Sequence, residues 1–398
     1  MKKRFNAVTL VLVCFAGFLL ASLCFAAFVV FEFGSADSIP FAAKFAEIYS
    51  AIDKDYVGQP DMEKVSDAAY SAMIAAIDDR WSYYMTDEQY EQYQQYQSNS
   101  YTGIGVTIEK DENSGLYKVT VVLEDSPASQ AGINIGDLMV AIDGQALSGK
   151  TSDEVKQLIE EKQGADFELT LRSQDGTERS IEVAAKTVFS KPVKYEMLDG
   201  NIGYIKIKNF EGDSGDEIIS AVDGLVADGA KGIVFDVRNN PGGLLSELLK
   251  ALDHLLPEGD MFVSVNEQGE ETVKRSDADC VEIPMTVLVN ENSYSAAEFF
   301  AAALSEYDLS SLVGTHTTGK ARSQVNIVLR DGSAVHISTN SYLTPKRVDL
   351  SEKGGLAPDI SVSISKEDEA KLVSGLLEHD KDPQLIAALD EIKALIDK

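Results

Sequence analysis

The chain has 398 residues, 65 of them acidic and 35 basic, for a formal net charge of −30. That length suits two or three compact units, and a hydrophobic content of 44% allows sizeable cores. The acidic balance argues against nucleic acid as a partner, because neutralising phosphates needs Lys/Arg clusters. It fits a self-repelling ectodomain and says little about fold.

Residues 1–33 read as a targeting element. Met1, Lys2, Lys3 and Arg4 form a basic flank, and residues 7–31 are almost uncharged and apolar. The run exceeds the core of a simple signal peptide and reaches the about 20 residues that a membrane-spanning helix needs. A basic flank held in the cytoplasm would put everything after Glu32 outside it. Cleavage near Ala26 and Ala27, giving a secreted protein, is the alternative. Cys24 invites a lipoprotein reading, against which stands the large Leu23 before it. Cys280 is the one cysteine beyond this element, so neither a disulfide framework nor a zinc motif is expected. No metal or cofactor is expected, and Cys280 reads as a bystander.

Helical spacing follows, through Phe41, Phe45, Ile48, Tyr49 and Ile52 and again through Val65, Ala69, Met73 and Ile77, so residues 38–100 read as a helical region. From Tyr101 the period changes to two. Val119, Val121 and Leu123 alternate with smaller or polar residues, turns fall at 126–128 and 143–144, and residues 152–162 read as a helix. The run SPASQAGINIGDLMVAIDG (126–144) and the preceding YTGIGV (101–106) resemble a PDZ domain of the bacterial protease type. The resemblance places a carboxylate-binding loop at Gly103, Ile104, Gly105 and Val106. Glycines there let backbone N–H groups converge on a peptide's terminal carboxylate while the next strand pairs with the peptide. PDZ bounds of 101–187 follow.

Residues 188–362 alternate strand and helix, with buried parallel-type strands at 232–237 and 285–290, which is an α/β layer architecture. Residues 363–398 read as a charged, peripheral helical tail. Ser295 stands between the second buried strand and a helix. Its residues alone read as an N-cap or as a group placed where free N–H donors favour negative charge. GIVFDVRNNPGG (232–243) ends a strand in two glycines, which suits a tight turn or a backbone donor facing a cleft.

NIGYIKIKNF (201–210), GIVFDVRNNPGGLL, VLVNENSYSAAEFFAAAL (287–304), VGTHTTGK (313–320), YLTP (342–345) and APDI (357–360) together resemble, in order, the carboxyl-terminal processing peptidases. The likeness covers residues 40 to 362. It implies an α/β multidomain fold: an N-terminal transmembrane helix, a helical segment, and a PDZ domain before a crotonase-like, ClpP-like protease core. It implies a serine endopeptidase with Ser295 as nucleophile, Lys320 as general base and Gln324 orienting the lysine. Gly242 and Ala296 would supply the oxyanion hole. The implied partners are protein or peptide substrates with accessible C-termini, and the membrane through the first helix; a homo-oligomer is compatible with the resemblance. The residues agree chemically. A lysine is a base when neutral, and burial lowers its pKa; residues four apart in extended structure share a side, so Gln324 could reach Lys320.

The sequence departs from the family at five positions. Thr318 and Ala321 flank Gly319 and Lys320 where Phe and Gly are usual, Asn292 and Tyr294 replace small residues, and Glu306 stands where Asp is common. Arg322, close by, is expected to depress the lysine further. Two rivals remain. HtrA-like proteases need His and Asp, and the four histidines fit no such pattern. A catalytically inactive PDZ-containing scaffold would bind peptides without cleaving them.

Overall fold

The computed structural model describes residues 7–33 and 35–397; within the first helix the side chains are described over 11–25 and at 27. That helix is Ala7–Phe33. Among the described residues no helix is long and apolar enough to cross a membrane, so the expected transmembrane helix is not supported here. Residues 1–77 and 78–398 form two compact units. In the first, the helices Ile39–Asp55 and Met62–Ala75 carry Phe45 stacked on Tyr70 at 5.9 Å.

The second unit begins with a strand where helix was expected. Tyr83–Met85 pairs antiparallel with Ala334–Leu343. The partner strand, distant in sequence, overrides a local pattern that periodicity reads as helical. The helix Asp87–Gln97 follows, started by a capping box between Thr86 and Gln89.

The PDZ fold is a six-stranded sheet with Val106–Lys110 at one edge and the helix Ser152–Glu160 packed by Val155 and Ile159. Tyr117, Val119, Met139, Leu169 and Leu171 fill its core together with Ile104. The short strand Ser100–Gly103 leaves this sheet to pair with Lys186–Phe189, closing the chain's entry and exit on each other.

The core sheet has six strands. Ile202–Ile207, Gly232–Asp236, Met285–Val289, Ser310–Gly314 and Ile360–Ser361 run parallel, and Val193–Leu198 is antiparallel at one edge. Alternate residues face opposite layers. Ile205, Ile233, Phe235, Val287 and Val289 pack under the helices Ser214–Ala227, Leu245–Leu255 and Ala296–Glu306. Tyr204, Val234, Leu288 and Val313 pack against Leu385, Ala388 and Ile392 of the helix Pro383–Ile396. The segment read as a peripheral tail thus covers one face of the sheet. Its charge and short apolar spacing hide this role, because the surface it fills is assembled from strands far away in sequence.

A buried ion cluster anchors that helix. The Arg238 guanidinium donates to Asp236 through Nε at 2.9 Å and Nη2 at 2.7 Å, and through Nη1 to Asp382 and Gln384 at 3.1 and 3.0 Å. Tyr204 donates to Asp236 at 2.7 Å. Asp236 and the Arg238 side chain are wholly buried. Although burial opposes it, Arg238 holds the Asp236 carboxyl well below the usual range. Replacing one partner leaves an uncompensated buried charge. Arg238→Ala should therefore lose about 3–5 kcal/mol in a denaturant melt, whereas Lys250→Ala, whose ion pairs are partly exposed, should change by less than about 1 kcal/mol.

Candidate active site

The helix Ala296–Glu306 starts directly after the turn that leaves the strand Met285–Val289. Ser293 ties this turn down, its hydroxyl donating to the Val237 carbonyl at 2.7 Å while accepting from the Asn290 N–H at 3.0 Å. Ser295 has φ 57° and ψ −125°, a conformation an L-residue rarely adopts and one that marks strained functional turns. Ser295 occupies the N-cap position, and Glu298 reaches back to its N–H at 3.0 Å as in a capping box; the cap reading therefore holds for the position, and the strained backbone sets this cap apart from an ordinary one. Such a sharp strand-to-helix turn presents a hydroxyl at a sheet's edge.

Glu298 organises the surroundings. It is fully buried, and its two oxygens accept four hydrogen bonds: from Ser295 N–H at 3.0 Å, Lys320 N–H at 2.8 Å, Gly319 N–H at 2.7 Å and the Thr317 hydroxyl at 2.5 Å. One carboxyl thus joins the segment of Ser295 to that of Lys320. Burial raises its pKa, and those donors oppose the rise. The residues read as departures fit this arrangement. Ala321 is buried in the core, the Thr318 hydroxyl donates to the Glu291 carbonyl at 2.6 Å, and Asn292 donates to Asn239 at 3.0 Å. Glu306 accepts from Thr344 and from Lys346 N–H at 2.6 and 2.7 Å, anchoring the turn after Leu343. Gly319, at φ +84°, lies where a Cβ would fall 2.7 Å from Gly355 N, so a side chain has no room.

Ser295, Lys320, Gln324, Gly242 and Ala296 all line one cavity of about 420 Å³. The Lys320 ammonium, however, lies 4.6 Å from the Trp81 ring centroid and 5.9 Å from that of Tyr294; among the described residues no hydrogen bond joins it to Ser295. Trp81 was not singled out by its sequence, since nothing local links it to a lysine 239 positions later. Burial brings the Lys320 amine down to about 8, against the pull of Asp79, and the neighbouring cation that helps is Arg80, where Arg322 was expected.

Two expected contacts are absent. Gln324 donates to the Arg322 carbonyl and to the Ser338 hydroxyl, both at 3.0 Å, and not to Lys320. Lys320 precedes the strand Arg322–Val328, and the register shifts between Ser323 and Gln324, so the parity that put the two residues on one side does not hold. Gly242 abuts Ser295, a Cβ on it falling 2.8 Å from Ser295 Cβ. Its N–H is already taken by Asn240 Oδ1 at 2.8 Å, an Asx turn that Asn-Pro-Gly favours. Ala296, first in its helix, keeps the N–H that every helix start leaves over. The structure thus offers one free donor from the expected pair.

In the PDZ domain Ile104 is buried and its carbonyl accepts from Ala128 N–H at 2.8 Å, while the Gly105 carbonyl accepts from Leu123 N–H at 2.9 Å. Gly103 ends the strand Ser100–Gly103 and Val106 opens the edge strand. Cys280 is a free, half-buried thiol. Among the described residues no cluster could hold a metal ion. Two groups in the cavity, the Lys320 amine and the Glu211 carboxyl, are both brought by burial to about 8. The Lys320 amine should titrate near 8 by NMR of the labelled lysine, and Trp81→Ala, by opening the site to water, should move it back toward 10.5.

Residues 201–362 match the family model of peptidase family S41, and residues 118–173 that of the PDZ domain. A "Probable CtpA-like serine protease" of Staphylococcus aureus (strain COL) is 31% identical over 328 residues, 81% of this chain and 65% of that protein. Its namesake in Staphylococcus epidermidis (strain ATCC 12228 / FDA PCI 1200) is 30% identical over 81% of this chain and 66% of its own length. The chain thus spans just under two thirds of these relatives. Among solved structures, a Bacteroides fragilis protein described as an S41 protease superposes with a TM-score of 0.57 at 18% identity, over 87% of this chain and 97% of that one; this likeness concerns the fold. Residues 201–362 thus carry the match to peptidase family S41, with a PDZ-domain match ahead of them.

Proposed function

We propose that the protein is a serine endopeptidase in which Ser295 attacks a peptide carbonyl and Lys320 is the general base. The observation that carries this reading is the shared grip of Glu298 on the two segments. The Ser295 hydroxyl and an amine whose pKa burial lowers line one cavity. In the reaction the neutral amine takes the Ser295 proton, the alkoxide forms an acyl-enzyme, and water releases it. The helix start at Ala296 supplies an oxyanion donor. Gly242 joins it once its N–H leaves Asn240. The described arrangement is a resting one: the lysine must swing from Trp81 towards Ser295 before it can act. Substrate entry into the cleft supplies the occasion.

The PDZ edge strand Val106–Lys110 supports capture of a substrate C-terminus by strand addition, with the 103–106 loop on its carboxylate. Placement outside the cytoplasm, and attachment through the first helix, rest on the basic flank and apolar run of residues 1–31 alone.

Cleavage of an unstructured protein should fall on the order of 10⁴-fold in both Ser295→Ala and Lys320→Ala. The rate of the intact protein should rise with pH through about 8, because the amine is protonated and useless as a base below that value. Glu298→Gln should cost about 100-fold in kcat, the expected penalty for a misplacement near 1 Å. Binding without cleavage up to pH 9 would sink the peptidase reading and leave the inactive scaffold. Amidating the C-terminus of a long substrate should slow its cleavage about tenfold and leave short esters unaffected.

A further inference from the structure

Glu211 has no role in the mechanism above, yet it lines the same cavity as Ser295 and Lys320. It follows the strand Ile202–Ile207, and its backbone is held on both sides. Its N–H donates to Asn209 Oδ1 at 3.2 Å, and its carbonyl accepts from Asn99 Nδ2 at 2.8 Å, while Asn209 donates to Asn99 at 2.7 Å. The side chain is 95% buried, its residue being 5% exposed, and the carboxyl atom Oε2 has no hydrogen-bond partner.

A buried carboxyl oxygen without a donor is costly, and proteins rarely keep one without a use. Slack in the chain does not explain it here, because three asparagine contacts fix the position. The groups around it are suited to a cation. Tyr93 and Tyr96, from the helix Asp87–Gln97, line the cavity and interact electrostatically with Glu211. Burial pushes both phenols up to about 12, so they stay neutral and present π faces, which attract ammonium and guanidinium groups. Leu248 adds an apolar wall along which a long aliphatic stem can lie. Lys320 is the charged group that acts on Glu211, and Arg322 and His336 also line the cavity. His336 is held neutral, its pKa lowered to about 4 by burial, and the Lys320 amine is neutral when it acts as base.

We propose that Glu211 is a specificity-determining residue of this cleft, its unpaired carboxyl receiving the cationic end of a lysine or arginine side chain of the bound peptide. The proposal rests on the peptidase reading and names a substrate class for it. No covalent step is involved. Burial pushes the Glu211 carboxyl up to about 8 in the empty cleft; the incoming cation supplies the missing partner and favours loss of that proton, because an opposite charge nearby stabilises the carboxylate.

The test compares fluorogenic peptides that differ by lysine, norleucine or glutamate at each position flanking the scissile bond. At one position the intact protein should prefer lysine over norleucine in kcat/KM by about tenfold or more. In Glu211→Gln that ratio should collapse towards one, and in Glu211→Lys glutamate should become the preferred residue. A wild-type ratio near one at every position overturns the proposal, as does a lysine preference that survives Glu211→Gln. If the intact protein cleaves none of the peptides, it is the peptidase reading that has failed. Calorimetric binding of the same peptides to Ser295→Ala then still decides Glu211, equal affinity for lysine and norleucine peptides overturning its role.

Discussion

The site depends on one buried carboxyl. Glu298 lies in the first turn of the helix that follows Ser295, and it accepts the N–H groups of Ser295, Gly319 and Lys320 as well as the Thr317 hydroxyl. A carboxylate taken out of water must be repaid by hydrogen bonds. Here the repayment comes from two segments 25 positions apart in the chain. Satisfying Glu298 and bringing the segments of Ser295 and Lys320 together are the same event. The fold around it serves that event. The parallel sheet delivers the helix start, and the strand Ser310–Gly314 delivers the loop that carries Lys320.

The Lys320 amine is set by competing effects, of which burial is the largest. The rings of Trp81 and Tyr294 favour the charged amine, as cation–π contacts do, while exclusion of water favours the neutral one. A lysine balanced near 8 changes protonation with small movements of its aromatic neighbours. Trp81 belongs to the segment that enters the core through the strand Tyr83–Met85. The chemistry is therefore coupled to chain that precedes the PDZ domain, although the family-matched region begins only at residue 201.

Much of this was legible in the sequence because it is local. Strands at 202–207, 232–236 and 285–289 show as apolar runs; the PDZ turns show as Gly, Pro and Asp; and the serine and lysine sit in motifs of neighbouring residues. The partners of those residues were not legible. Gln324 was expected beside Lys320 from strand parity, and a register shift between Ser323 and Gln324 cancels that parity. Gly242 was expected as a free donor, and its own neighbour Asn240 consumes the N–H. The latter signal was present as Asn-Pro-Gly and reads as an Asx turn.

The sequence by itself determined the PDZ domain ahead of an α/β core, and which serine and lysine stand in the motifs that resemble the family's. These depend on residues within a few positions of each other, where periodicity and turn chemistry act. The tertiary structure alone decided the company each side chain keeps: Trp81 over Lys320, Glu298 across two loops, Arg238 with Asp382, and Glu211 left without a donor. The first three relations join segments 22 to 239 positions apart, and no local preference encodes them. Burial and hydrogen-bond satisfaction settle them once the sheet has brought the segments together.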